Sequence, residues 1–219
     1  MVESATASKR PRIAVLANIY ETHLHMQHII DRILEGYNHG GVFHHPQLDV
    51  VSTFVEQRGD GDLLRERAQR HPAMKIYPTV WQALTRGTRK LDVDGIIYIG
   101  EQGVYPQNEK GQREYACYRF FEEIVDVFRA SDRTVPVYVA KHLSYNWDWT
   151  KDMYDTSRRM GFRLMAGSSL PVAWRIPSID MPLGARNPFD QPGLVDFDTT
   201  LAKTFPIHRL ETSRPPLRT

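Results

Sequence analysis

The chain alternates between short apolar runs and segments in which apolar residues recur every three or four positions. The apolar runs lie near residues 12–17, 48–55, 93–99, 135–139 and 162–166, with a briefer one at 75–77. Runs that are apolar throughout are typical of strands buried on both faces. Their alternation with helices predicts βαβ units. We therefore expect an α/β fold, a Rossmann-like parallel sheet with helices on both faces, and keep an α+β mixture as the alternative.

Helical periodicity is clearest in two of the intervening segments. The first stripe comprises Met26, Ile29, Ile30, Ile33, Leu34 and Tyr37, and glycines at 36, 40 and 41 supply turn signals after it. The second runs from Cys117 to Phe128, and further helices are predicted around 62–70, 80–84 and 148–160. Cys117 is the single cysteine, which excludes an internal disulfide. Its place on an apolar stripe predicts a buried structural thiol.

The two ends of the chain differ from its middle. We expect a disordered leader at residues 1–11, one Rossmann-like domain at 12–174, and an extended tail at 175–219 that wraps the domain, mediates self-association as a homo-oligomer, or is disordered. The formal net charge of +2 is spread along the chain, which disfavours a nucleic-acid surface. No apolar run approaches the roughly 20 residues of a membrane span, and the N-terminus lacks a secretory signal. We expect a cytoplasmic protein without a membrane partner.

Polar and aromatic residues follow the predicted strands where each one ends. Because the carboxyl ends of parallel strands share one edge of a sheet, we expect one pocket there, with Tyr20 or His25 on its rim. Its predicted catalytic residues are Glu101, Lys141, His142 and Tyr145. A lysine in this setting can transfer protons or bind an anion, and His142 can act as acid or base. An ordinary polar loop is the alternative.

Two further patterns bear on the chemistry. His23, His25 and His28 form H-x-H-x-x-H, but on a helix only the last two share a face, so no metal site is expected and His23 and His25 are the candidates if one exists. Residues 167–169 (Gly-Ser-Ser) can bind an anion or simply form a turn. The sequence contains no G-x-S-x-G elbow, which disfavours a serine hydrolase.

Three stretches resemble the N-terminal domain of the Gfo/Idh/MocA oxidoreductases, in a divergent bacterial branch: IGEQGVYPQNEKGQ (99–112), KHLSYNWD (141–148) and LMAGSSLPVAWRIP (164–177). That family carries Glu-Lys-Pro after its fifth strand, with the Lys beside nicotinamide and substrate; the matching residues here are Ala140, Lys141 and His142. The resemblance covers roughly residues 12–184. It implies an NAD(P)-dependent oxidoreductase acting on a small polar metabolite. Its implied cofactor-binding residues are Asn18, Tyr20, Glu56 and Gly100.

The sequence departs from that family in the turn after the first strand. The family's turn is rich in glycine because the pyrophosphate approaches the backbone there, whereas residues 17–22 read ANIYET. Glu21 also brings a negative charge. We therefore expect NAD(P) to bind weakly or in an unusual pose. The family's C-terminal sheet domain is not matched either. The alternatives are a cofactor-independent hydrolase or lyase that uses Glu101, Lys141 and His142, and a non-catalytic ligand-binding domain.

Overall fold

The computed structural model describes residues 9–39 and 41–167. In chain order the elements are β1 (Arg12–Ala17), a π-helical segment (Gln27–Asp31) that continues into α1 (Arg32–Glu35), β2 (Tyr37–His39), β3 (Val42–His44), β4 (Asp49–Val55), α2 (Leu64–Arg70), β5 (Lys75–Ile76), α3 (Val80–Thr85), β6 (Gly95–Ile99), α4 (Cys117–Ser131), β7 (Val137–Ala140), α5 (Trp147–Met160) and β8 (Leu164–Gly167).

Six of the strands form one parallel sheet in the order β5-β4-β1-β6-β7-β8. The chain builds outward from β1 to β5, returns to place β6 on the other side of β1, and then builds outward again. This is the 3-2-1-4-5-6 order of a Rossmann fold, which opens a crevice beyond the carboxyl ends of β1 and β6. The predicted fold class is confirmed.

Alternating side chains of the strands divide the core between the two faces of the sheet. On β1, Ile13, Val15 and Ala17 pack with Met26 and Ile30 of the segment around the π-helix. The opposite face is covered by α3, α4 and α5, and its apolar cluster is the larger one; its members include Leu16, Leu84, Phe120, Ile124, Phe128, Val137 and Met153. Helices therefore lie on both faces, as the uniformly apolar strands predict.

The first predicted helix ends earlier than its apolar stripe indicates. It stops at Glu35, and Gly36 adopts a φ of +81° with the Phe43 ring so close that a Cβ there would lie 2.4 Å from it. Tyr37 then begins a small antiparallel hairpin, β2 with β3, and is 38% exposed. The placement of Tyr37 on the buried helical stripe was wrong, because the glycine that permits this close approach also breaks the helix.

Several expectations concern residues that the structure does not describe. Most of the predicted leader, the predicted tail at 175–219, and Ser168 and Ser169 lie outside the described residues. Within the described part of the chain, no helix combines the length and apolar character that crossing a membrane requires.

Candidate functional site

Glu101 and Lys141 meet at the carboxyl edge of the sheet. They follow β6 and β7, which pair in parallel, so their loops leave the sheet side by side. Lys141 Nζ lies 2.6 Å from Glu101 Oε2; the Glu101 side chain is 5% exposed and that of Lys141 is 39% exposed. The structure thus brings together two of the predicted catalytic residues, one buried anion beneath one accessible cation. Their catalytic roles stay predictions.

The loops around this pair contain unusual backbone conformations. Among residues 9–39 and 41–167, five residues other than glycine have positive φ, of which Arg86 and Asp132 simply end helices α3 and α4. The other three, His23, Gln102 and Lys141, lie in the loops that follow β1, β6 and β7. Left-handed backbone at residues other than glycine is uncommon and gathers at ligand and catalytic sites. At Lys141 the conformation is fixed by a hydrogen bond from its N–H to the Gly167 carbonyl oxygen (3.0 Å).

His25 contacts the second oxygen of the Glu101 carboxylate. Its ring Nδ1 contacts Glu101 Oε1, and its side chain is 33% exposed. The backbone N–H of His25 donates to Gln102 Oε1 (3.2 Å), which fixes the turn after β1 against the loop after β6. Glu101 therefore holds two nitrogen groups, one on each oxygen. A carboxylate this deeply buried requires such partners, because an uncompensated buried charge is strongly unfavourable.

Asn18 supports the site from below. It is fully buried, and its Nδ2 donates to the Gly100 carbonyl oxygen (2.7 Å) while its Oδ1 accepts from the Tyr98 hydroxyl (3.2 Å). Its carbonyl oxygen also accepts from the N–H of Gln57, after β4. Asn18 thus connects the turn after β1 to both neighbouring loops. Its amide points into the protein.

Gly100 and Cys117 complete this buried layer. A Cβ at Gly100 would lie 2.4 Å from the Tyr98 ring, so the glycine is required by packing. Cys117 Sγ donates to the Gly100 carbonyl oxygen (3.3 Å), and burial raises the pKa of this thiol to about 11. The prediction that Cys117 is a buried thiol is confirmed.

His142 and Tyr145 lie farther along the loop after β7. The His142 ring lies 6.0 Å from the Tyr115 ring, and Tyr145 packs edge-on against Trp149 at 5.4 Å. Tyr145 lines an open cleft of about 530 Å³ between the 108–112 turn and the start of α5. Among the described residues, neither side chain has a hydrogen bond or ion pair to Glu101 or Lys141. The structure does not bring these two into the Glu101 pair, and their roles stay predictions.

Besides Asn18, two more residues that the resemblance assigns to a cofactor are engaged within the protein. Tyr20 is fully buried and does not lie on the rim of the site, and its hydroxyl donates to Asp31. Burial is the main cause that raises the pKa of Tyr20, and the hydrogen bond to Asp31 is the second. Asp31 in turn holds Arg67 through two hydrogen bonds of 2.9 and 2.7 Å. The Glu56 carboxylate accepts from the Tyr105 hydroxyl and pairs with Arg119. Neither residue presents a free polar group to a ribose.

The turn after β1 does not fit a dinucleotide pyrophosphate in the usual pose. That pose requires backbone N–H groups that point at the phosphate oxygens. Here the N–H of His23 donates to Gln27 Oε1 (2.6 Å) and that of His25 to Gln102 Oε1. Side-chain amide oxygens therefore occupy these two N–H groups. The Glu21 carboxylate also lies against residues 59–61, which adds negative charge beside this turn.

Of the three histidines of the H-x-H-x-x-H pattern, only His25 has a side-chain contact with a carboxylate among the described residues. His23 has left-handed backbone, with a φ of +64°. Within residues 9–39 and 41–167, no three His, Cys, Asp or Glu side chains are grouped so that they could hold a metal ion.

The site residues chosen from the sequence did not include the two glutamines that organise the loops. Gln102 caps the His25 N–H, and Gln57 pairs with the backbone of Val104 through its Oε1 (2.8 Å) and its Nε2 (3.1 Å). Their only signal is position, since they follow β6 and β4 closely. The positions of the two glutamines in the sequence do not indicate which backbone groups their side chains contact.

No family model matches the chain, and no curated protein matches it. Solved structures do. A Gfo/Idh/MocA family oxidoreductase from Vibrio cholerae aligns at 12% identity over 72% of this chain and 38% of its own, with a TM-score of 0.45. GenD2 from gentamicin A biosynthesis, in complex with NAD, aligns at 12% identity over 74% of this chain and 36% of its own, with a TM-score of 0.48. A biliverdin reductase from Synechocystis sp. PCC 6803, in complex with biliverdin and NADP+, aligns at 10% identity over 72% of this chain and 37% of its own, with a TM-score of 0.46.

The aligned part thus spans less than two fifths of these three chains. The set includes a member of the family that the sequence resembles. Identities this low and TM-scores below 0.5 carry no argument about activity or ligand. The fold assignment rests on the strand order of this chain itself: it is a Rossmann-like α/β domain whose candidate site lies at the carboxyl edge of β1, β6 and β7.

Proposed function

We propose that the chain is an enzyme on a Rossmann-like scaffold that acts on a small polar metabolite, with Lys141 as the group that binds and protonates it. One observation carries the proposal: the accessible Lys141 ammonium lies 2.6 Å from the buried Glu101 carboxylate at the carboxyl edge of the sheet. Ligands of open α/β sheets bind at this edge.

The chemistry follows from the arrangement of the pair. Glu101 fixes the position of Nζ, while the partly exposed ammonium keeps donors for a substrate. An ammonium held in this way binds a carboxylate, phosphate or developing enolate oxygen, and can donate a proton to it. A surface ion pair lacks this asymmetry, because both of its members are solvated.

Substitution of Lys141 tests the proposal. Turnover of a panel of small hydroxy and oxo acids is measured with and without NAD(P). We expect Lys141→Met to lower kcat by about 10²- to 10⁴-fold, the range typical of a lost acid–base group, and Lys141→Arg to retain binding with reduced turnover. Lys151→Met is the matched control, since Lys151 pairs with Asp155 on the surface of α5. Equal turnover by Lys141→Met and Lys151→Met would contradict the proposal.

A redox reaction with NAD(P) is the more specific form of this function that the family resemblance supports. The occupied N–H groups of the turn after β1 oppose the usual dinucleotide pose. We therefore expect dissociation constants well above the micromolar range in calorimetric titrations with NAD and NADP. Binding in the low micromolar range, about −8 kcal/mol, would show that the turn opens for the cofactor and would favour an oxidoreductase. Lys141-dependent binding without turnover would instead favour a ligand-binding domain.

A further inference from the structure

We infer that His25 is a second catalytic group of this site: a general base that acts through Nε2 and is paired, across Glu101, with Lys141. The inference rests on the proposed function of Lys141 and extends it to a reaction class, the removal of a proton from a carbon atom next to a carbonyl group.

The contact between His25 and Glu101 determines which ring nitrogen carries the proton. Glu101 Oε1 is a carboxylate acceptor, so the Nδ1 that faces it is the donor. In a neutral imidazole the other nitrogen, Nε2, then carries a lone pair. A carboxylate behind Nδ1 fixes the tautomer and the ring orientation.

Nε2 of His25 is also available to a ligand. No residue in the described part of the chain forms a hydrogen bond or ion pair with it, and the side chain is one third exposed. His23 and His28, the other histidines of the pattern, have no side-chain contact with a carboxylate among residues 9–39 and 41–167. The arrangement is specific to His25.

The two nitrogen groups are held at a fixed separation because they bind the two oxygens of one carboxylate. One group is a base and the other an ammonium, and both are partly exposed at the same edge of the sheet. A small carbonyl compound can contact Nε2 through its α-hydrogen and Lys141 Nζ through its carbonyl oxygen. This is the pairing of base and oxyanion stabiliser that enolate formation requires.

The step balances without an oxidant or a cofactor. The α-carbon–hydrogen bond breaks, and its proton moves to His25 Nε2. The electron pair forms the carbon–carbon double bond of an enolate, and the carbonyl electrons move to the oxygen, where the Lys141 ammonium stabilises them. Return of the proton to the same carbon or a neighbouring one completes an exchange or an isomerisation.

Deuterium exchange tests the inference without knowledge of the natural substrate. The full chain is incubated in D₂O with pyruvate, 2-oxobutyrate and dihydroxyacetone, and loss of the α-proton signal is followed by NMR. We expect exchange of at least one compound above the buffer rate. His25→Asn should lower the rate by at least about 100-fold, because the Asn amide reproduces the Nδ1 donor to Glu101 but supplies no base.

His23→Asn is the matched control. His23 lies on the same turn with left-handed backbone, which Asn tolerates, and its side chain has no partner within the described residues. We expect its exchange rate to equal that of the wild type. A urea denaturation curve of each variant establishes that it is folded.

Three results would overturn the inference. One is exchange by His25→Asn at the wild-type rate, and another is no exchange of any of the three compounds by the wild type. The third is a ¹⁵N spectrum in which neutral His25 carries its proton on Nε2. In each case, Lys141-dependent turnover of the metabolite panel would leave the proposed function standing, whereas equal turnover by Lys141→Met and Lys151→Met would remove it.

Discussion

Asn18 offers the sharpest test of how the site is held together. Its buried amide donates to the Gly100 carbonyl oxygen at 2.7 Å and accepts from the Tyr98 hydroxyl at 3.2 Å. Asn18→Ala removes both contacts and leaves two polar groups in the interior of the protein. Each buried group without a partner costs about 1–3 kcal/mol. The Gly100 oxygen keeps its weak contact with Cys117 Sγ, so we expect a total loss of roughly 2–4 kcal/mol.

A second variant separates the two contacts. Tyr98→Phe removes the hydroxyl but keeps the hydrogen bond from Asn18 to Gly100, and should cost about 1 kcal/mol. When Tyr98→Phe is already present, Asn18→Ala leaves only the Gly100 oxygen without its amide. The double variant should therefore be more stable than the sum of the single effects predicts, by about 1 kcal/mol.

Urea unfolding of the four proteins at pH 7, followed by circular dichroism, measures both quantities. For a domain of this size, each kcal/mol also corresponds to a shift of about 2–4 °C in Tm, which gives an independent check. A loss of less than about 0.5 kcal/mol in the free energy of unfolding of Asn18→Ala would be that of an ordinary surface substitution. Such a result would refute the role of Asn18 as the connection between the loops. Strict additivity would refute its contact with Tyr98.

Three further predictions follow from the described contacts. Burial alone would raise the pKa of Asp94, but hydrogen bonds from Arg12 lower this pKa below its ordinary value of 3.8. The stability that the Asp94 carboxylate adds is therefore present above about pH 4 and is lost below it. Asp94→Asn should accordingly flatten the fall of the urea midpoint between about pH 5 and 3. Because burial raises the pKa of Cys117 to about 11, a disulfide reagent at pH 8 should label it only in urea, and rapid labelling of the native chain would contradict this. Gly100→Ala should lower stability by about 1–3 kcal/mol, since its Cβ meets the Tyr98 ring; an unchanged Tm would contradict the clash.

The sheet could be predicted from the sequence because its strands are buried on both faces. A strand in that position leaves an unbroken apolar run, and each observed strand begins within about two residues of the predicted one. The hairpin at 37–44 left no such signal, since all six of its strand residues are exposed. Tyr37 matched the helical period by coincidence, and only the contact between Gly36 and Phe43 shows why the helix cannot reach it.

The location of the site was predictable, but its composition was less so. Topology alone brings the loops after β1, β6 and β7 to one edge, and this places Glu101 near Lys141. Whether a side chain after a strand turns outward or inward depends on the backbone of its loop. Asn18 and Tyr20 turn inward to polar partners, Gly100 for Asn18 and Asp31 for Tyr20, and no local pattern reveals those partners.

One hydrogen bond, from the His25 N–H to Gln102, connects the absence of a glycine-rich turn with the presence of His25 in the site. A glycine-rich turn leaves its N–H groups free for phosphate oxygens. Here Gln102 occupies the N–H of His25, and the same hydrogen bond brings the His25 ring beside Glu101. The contact that opposes a pyrophosphate is thus the contact that positions the proposed base. We therefore expect strong dinucleotide binding and proton transfer by His25 to require different conformations of residues 18–25, so that a ligand that favours one should weaken the other.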